Sequence, residues 1–314
     1  MRVELRKAQE VVITTLVDNY TDSLMGGSEE VKRPTLSRKG EMGKPLLAEH
    51  GFAALIEIRL DGDTHKVLMD AGTTEKGIFH NLESLELDLD DIEAIVLSHG
   101  HPDHNAALVK IIESLPVEDI PLITHPDAFL KRRIRIPGRE EVILPEFKKE
   151  SLEEAGAEVI KNREPYLLTG GSLLVTGEVP RVTDFEKGFP PNYAEIDGVV
   201  QPDPMMHDDQ ALVMRVEGKG LIVLSGCAHA GIINSTLYAR ELTGGDKVHV
   251  ILGGFHLSGP LFEPLIDRTI AEIKEIGPKM VVPTHCTGSN AMFRFRQEMP
   301  EVFVHNCVGT KFVF

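Results

Sequence analysis

The stretch Leu97-Ser98-His99-Gly100-His101-Pro102-Asp103-His104 constrains this chain more than any other. It follows the apolar run 92–97 and precedes a helical pattern beginning near Asn105, which places it at a strand-to-helix turn. Side chains two apart on an extended segment point the same way, so His99 and His101 can converge on one ion. Asp103 and His104 then open a helix and face the same mouth from the other side. Neutral imidazole nitrogen with carboxylate oxygen is a ligand set for zinc, with manganese or iron as alternatives. Four potential ligands within six residues make a metal site the working reading.

The chain has 314 residues, room for one large domain or two smaller ones around a substantial core. Its 49 acidic and 33 basic residues give a net charge of -16. That balance argues against nucleic acid as a partner, because the phosphate backbone is bound by clustered cations. A small anionic substrate stays compatible with it, since bound divalent ions reverse the sign locally. No apolar run approaches the ~20 residues of a spanning helix, and the opening Met1-Arg2-Val3-Glu4-Leu5-Arg6-Lys7 lacks the apolar block of a secretory signal. The expectation is a cytoplasmic protein with a small-molecule substrate and no membrane partner. Cys227, Cys286 and Cys307, with no Cys-x-x-Cys pair, do not make a disulfide framework.

Strands are expected over 11–17, 52–60, 65–69, 94–98, 121–124, 157–162, 172–177, 211–216, 221–224, 248–252 and 280–283. Helices are expected over 75–85, 106–114, 127–133, 232–242, 261–276 and 291–298. Each half runs from a hairpin, around Asp61-Gly62-Asp63 or Glu217-Gly218-Lys219-Gly220, into strand-helix units. Two similar halves with a two-sheet core and helices outside follow from that order. The charged stretch 29–50 reads as a surface insertion or as a lid, and 135–150 reads as loop. The long irregular stretch 178–210 carries five prolines with Phe185, Phe189 and Tyr193, and is either a substrate-facing cover or a connection.

A two-metal site needs further histidines, and the ends of later strands are where they can come from. Ser225-Gly226-Cys227-Ala228-His229-Ala230-Gly231 follows an apolar strand and precedes a helix, as the first motif does. Pro283-Thr284-His285-Cys286-Thr287-Gly288 and Gly253-Gly254-Phe255-His256 repeat the placement. His229 and His285 are therefore candidate ligands, with His256 behind them.

His99-Gly100-His101-Pro102-Asp103-His104 resembles the His-x-His-x-Asp-His signature of the metallo-β-lactamase superfamily, and Leu68-Met69-Asp70-Ala71-Gly72 looks like the strand-Asp-x-Gly element that precedes it there. The resemblance covers most of the chain in element order. It implies an α/β fold, a four-layer αββα sandwich of mixed β-sheets, as one domain over 1–314 with insertions near 29–50 and 178–210. It also implies two divalent ions along one edge, zinc first and manganese or iron as alternatives. His99 and His101 with His229 would hold one ion, and Asp103 and His104 with His285 the other.

One region departs from the family pattern. The usual Gly-His-Thr-x-Gly segment is absent, and Gly226-Cys227 stands where a Gly-Asp pair commonly supplies a bridging carboxylate. Cys227 is then either a thiolate ligand or a small buried residue. Asp208 or Asp209 could supply the missing carboxylate, or both could form a solvated acidic turn. Val17-Asp18-Asn19, Asp208-Asp209-Gln210-Ala211-Leu212, Gly226-Cys227-Ala228-His229 and His285-Cys286-Thr287-Gly288 resemble a subgroup that includes dihydropterin-methyl-(ribofuranosyl)aminobenzene-phosphate synthase and proteins described only as metal-dependent hydrolases.

The resemblance implies a dinuclear metal-dependent hydrolase of a small soluble, anionic (phosphorylated or ester) substrate. A metal-activated hydroxide would attack, with Asp103 or another carboxylate accepting the proton. The alternative is a pterin-condensing transferase of methanopterin-type biosynthesis, in which an arene displaces pyrophosphate. A non-catalytic metal-binding sensor is the third reading.

Overall fold

The computed structural model describes residues 2–35, 37–38 and 40–314; Met1 and positions 36 and 39 of the expected 29–50 insertion lie outside the described residues. Alternation of apolar side chains along the strands sets the layers. In Ala53–Leu60, Ala54, Ile56 and Ile58 face one core while Ala53 and Leu55 face another. In Ala211–Val216, Leu212, Met214 and Val216 face that first core and Ala211 and Val213 a third. Period-two burial on both faces requires a covering layer on each side of each sheet.

The central core lies between an eight-stranded and a seven-stranded sheet. The first sheet runs in space Ala157–Lys161, Ile120–Thr124, Ala94–Val96, Asp63–Met69, Ala53–Leu60, Glu10–Val17, Lys311–Val313, Val31–Lys32. The second runs Tyr166–Leu168, Leu173–Val175, Ala211–Val216, Gly220–Ser225, Val248–Gly254, Met280–Thr284, with Lys7–Ala8 paired parallel to Ala211–Val216. Helices Glu75–Leu85 and Leu108–Ser114 cover the first sheet, and Ile232–Thr243, Ile266–Ile276 and Ser289–Glu298 cover the second. The expected αββα order is the observed one. So is the correspondence of halves: in each, an antiparallel hairpin leads into two further parallel strands.

Three expectations need correction. The helix expected over 127–133 is a single 3-10 turn, Pro126–Phe129, followed by the strand Arg132–Ile134. The turn stops because Arg132 is drawn into pairing with Asn192–Ile196 and into a buried ion pair. The loop 135–150 contains the strand Val142–Ile143 and the start of the helix Lys149–Glu154. The stretch 178–210 is not irregular throughout: Asn192–Ile196 and Val199–Pro202 form a hairpin. Its turn, Asp197-Gly198, has both residues at positive φ, 53° and 75°, the two-residue geometry that an Asp-Gly pair favours. These segments make a separate four-stranded sheet beside the sandwich. Among the described residues, no helix is long and apolar enough to cross a membrane.

Candidate metal centre

The carboxyl ends of Glu10–Val17, Asp63–Met69, Ala94–Val96, Gly220–Ser225, Val248–Gly254 and Met280–Thr284 deliver Asp18, Asp70, His99, Cys227, His256 and His285 to one edge of the sandwich. After Ala94–Val96 the chain makes a short helix, Pro102–Asn105, that starts on Pro102 and carries Asp103 and His104 in its only turn. Pro at the first helical position loses no needed donor, so the motif can leave the strand and turn at once.

The ring centroids of His99, His101 and His229 form a nearly equilateral triangle, at 4.8, 4.8 and 4.9 Å. His104 lies 4.3 Å from His99 and 5.0 Å from His285, ring to ring. His285 Nε2 approaches Asp103 Oδ2 at 3.3 Å. The potential ligand atoms of Asp103, His104, Cys227 and His285 lie within 4.8 Å of one another, as do those of His99, Cys227 and His229. The six histidine and aspartate candidates of the two expected trios thus lie at one edge, His101 by its ring contacts with His99 and His229 and outside the groups of converging ligand atoms. His256 joins a different group, with Cys227 and Cys286.

Buried nitrogens without partners make this edge a candidate cation site. Among the described residues, Nε2 of His99, His101 and His285 and both ring nitrogens of His229 are buried with no hydrogen-bond partner. A buried polar atom left unpaired costs about 1–3 kcal/mol, so several converging on one space call for a shared partner. The other ring nitrogens of His99, His104 and His285 are held. Asp70 accepts hydrogen bonds from Ser98 N (2.7 Å), Ser98 Oγ (2.7 Å) and His104 Nδ1 (2.6 Å), and Ser98 Oγ in turn lies 3.0 Å from His99 Nδ1. Asn19 Oδ1 faces His285 Nδ1 at 3.1 Å, and Asp18 Oδ1 accepts the His285 amide at 2.9 Å. Such contacts set the tautomer that turns Nε2 inward, as metal ligation by histidine requires.

The electrostatics divide the two trios. Burial, then the neighbouring imidazoles, holds His99 and His229 well below the ordinary histidine range, and burial with Arg132 lowers His101 to about 3. These three imidazoles are neutral at pH 7. Burial also works against charge on His104, but Asp70 and Asp103 overcome it and raise it to about 9. Asp103 is held well below the ordinary carboxylate range: burial opposes its charge, and His104 and His285 outweigh burial. In the second trio a proton on His104 occupies the place a cation would take. Ala228, His256 and His285 are all non-glycine residues at positive φ, 53°, 47° and 47°. Backbone strain concentrated in three such turns is characteristic of a site fixed by its surroundings.

Asp208 and Asp209 do not join the ligand groups, and neither is solvated. Asp208 is fully buried and takes a bidentate contact from Arg132 at 2.8 and 2.7 Å; it also accepts the Gly100 amide at 2.8 Å. It thereby holds the loop between His99 and His101. Asp209 is 1% exposed and accepts the Ala230 amide at 2.8 Å, fixing the turn that carries His229. Cys227 is 2% exposed, and its Sγ lies 3.2 Å from His104 Nε2.

Three contributors escaped the sequence reading. Arg132 had been placed in a helix that does not form. His50, at the end of the 29–50 stretch, stands with its ring 4.8 Å from that of His285 and its Nε2 3.6 Å from Asp103 Oδ2. Its neighbour Glu49 accepts the amides of Thr73 and Thr74, each at 3.0 Å, so this end of the stretch is tied to the site. Glu186 accepts the Ile233 and Asn234 amides, at 2.9 and 2.8 Å, at the start of Ile232–Thr243. Phe189, from 178–210, packs against the rings of His101, His229, His256 and Phe262 at 5.1–6.1 Å. Beside it opens a cleft whose lining includes Lys187, His229, His256 and Phe262.

The model of the metallo-beta-lactamase superfamily matches residues 48–285. A 7,8-dihydropterin-6-methyl-4-(beta-D-ribofuranosyl)-aminobenzene-5'-phosphate synthase of Methanocaldococcus jannaschii is 30% identical over 287 residues, 89% of this chain and 95% of its own. A second protein of that organism is 32% identical over 264 residues, 83% of this chain and 93% of its own. Among solved structures, a metal-dependent hydrolase of the beta-lactamase superfamily superposes with a TM-score of 0.70 at 23% identity, covering 96% of this chain and 98% of its own.

Proposed function

The chain belongs to the metallo-β-lactamase superfamily, and from that premise we propose that it is a dinuclear metal-dependent hydrolase of a small soluble anionic substrate, a phosphate or carboxylic ester. The observation that carries the reading is the set of buried imidazole nitrogens without hydrogen-bond partners, on His99, His101, His229 and His285, gathered at one edge beside Asp103 and His104. His99, His101 and His229 hold one divalent ion and Asp103, His104 and His285 the other, zinc being the ion this nitrogen-rich set suits best. When bound, two such ions supply Lewis acidity toward a substrate oxygen and lower the pKa of water toward neutrality.

The chain's own residues prepare that chemistry. Asp70 and Asn19 orient His104 and His285, and the Arg132–Asp208 pair fixes the His99–His101 loop through the Gly100 amide. Asp103 has a side chain 21% exposed, the part of the second trio that reaches solvent, and stays ionised there beside His104 and His285. Phe189 and Phe262 keep water from the His229 side and offer ring faces to a bound substrate.

A second reading is the condensation described by the name of the Methanocaldococcus jannaschii synthase. It is favoured by that relative's match along nearly the whole chain and by the aromatic wall of the cleft, which suits a planar heterocycle. The metal-loaded protein is incubated with a dihydropterin pyrophosphate and the aminobenzene ribotide, and products are read by mass. Pyrophosphate release without a joined product supports hydrolysis; the joined product replaces it with the transferase reading. No turnover of these or of simple phosphate and carboxylic esters by the two-metal protein would refute both.

A further inference from the structure

We propose that Cys227 is a thiolate ligand shared by both ions, standing where a bridging carboxylate would otherwise be. The inference rests on the dinuclear reading above and deepens it. Three groups of side chains at this edge have ligand atoms close enough to hold an ion, and Cys227 is the residue common to all three. Its Sγ lies within 4.8 Å of the ligand atoms of His99 and His229 on one side and of Asp103, His104 and His285 on the other. Cys227 Sγ approaches His104 Nε2 at 3.2 Å.

Neither nearby aspartate reaches the two trios: Asp208 is committed to Arg132 and the Gly100 amide, and Asp209, whose Oδ2 accepts the Ala230 amide, is in none of the ligand groups. Gly226, immediately before the cysteine, has no room for a side chain: an added Cβ would overlap the Ser98 side chain and lie 3.0 Å from Asp70 Oδ2. The backbone there is pressed against Ser98 and Asp70 of the first half of the molecule. Cys286 packs behind, with its Sγ 3.5 Å from the Cys227 carbonyl oxygen, and is not in either trio's group.

Binding breaks the S–H bond of Cys227, forms sulfur–metal bonds, and releases the proton to solvent. A thiolate at the shared position adds one negative charge between two divalent ions and selects borderline and soft ions over manganese or magnesium.

The test is cobalt substitution of the full-length protein, read by absorption. Wild type and Cys286→Ser with two cobalt(II) ions per chain show a thiolate-to-cobalt charge-transfer band in the near ultraviolet, and Cys227→Ser loses it. A wild-type protein holding two cobalt ions without that band, or a band that survives in Cys227→Ser, overturns the inference while leaving the dinuclear reading intact. Failure to bind cobalt or zinc at all overturns both. Should Cys227→Ser not fold, X-ray absorption at the zinc edge of wild type and Cys286→Ser decides. Sulfur at about 2.3 Å in both supports the shared thiolate; a shell of nitrogen and oxygen alone, or sulfur lost with Cys286, refutes it.

Discussion

Replacing Arg132 with methionine is the perturbation that most sharply tests how the first ligand loop is held. The Arg132 side chain is 1% exposed and that of Asp208 0%, and the two share contacts of 2.8 and 2.7 Å. Methionine fills much of the volume but leaves the Asp208 carboxylate buried with only the Gly100 amide as a partner. Breaking one side of a buried pair costs about 3–5 kcal/mol, far more than the 0–1 kcal/mol of a surface pair. Replacing both partners, Arg132→Met with Asp208→Leu, removes the charge stranded on Asp208 and leaves the unpaired Gly100 amide, about 1–3 kcal/mol; Asp203, 3.7 Å from the guanidinium, loses that contact equally in both variants. Urea unfolding of the metal-free protein at constant m-value reads both numbers. The expected order is a single variant less stable than the double. A single variant within 1 kcal/mol of wild type, or a double variant less stable than the single, would refute the argument that a desolvated charge pair fixes the loop.

Other consequences are open to simpler measurements. Chelation lowers the thermal midpoint, because the buried imidazoles lose the partner that satisfies them; zinc at a thousandfold excess over its dissociation constant stabilises by about 4 kcal/mol, and identical midpoints with and without chelator would contradict this. Gly226→Ala costs about 1–3 kcal/mol by overpacking against Ser98 and lowers metal affinity through the Ser98–Asp70 contact; unchanged stability and affinity would argue against the close approach. Burial pushes the Glu186 carboxyl from 4.5 up to about 7, against hydrogen bonds from Ile233 and Asn234. Its folded pKa lies above its unfolded one, so the stability it contributes is full below pH 4.5 and is lost as pH rises to about 7, on the order of 3 kcal/mol. Glu186→Gln flattens that part of the stability–pH curve, and an unaltered slope between pH 4.5 and 7 would count against the assignment.

The histidine and aspartate candidates were legible because each lies at the end of an apolar strand, and strand ends of a layered fold meet along an edge. His229 and His285 sit far from the motif in sequence yet directly after apolar strands of the second half, and that placement made them candidates. Arg132 and Asp208 were illegible for the opposite reason. Each looks like an exposed residue, a helix-end arginine and an acidic turn, and only the added four-stranded sheet buries them together. His50 follows a stretch without period, and nothing local indicates that it ends against Asp103. The hairpin around Asp197-Gly198 did carry a signal, since Asp-Gly between β-rich residues favours a two-residue turn, but five surrounding prolines masked it.

The central claim is that two ions sit in two particular trios. Anomalous diffraction at the zinc edge from crystals of the zinc-loaded protein locates them directly. Two peaks are predicted, one among His99, His101 and His229 and one among Asp103, His104 and His285, with Cys227 Sγ between them. A single peak, or peaks away from these residues, would contradict the account.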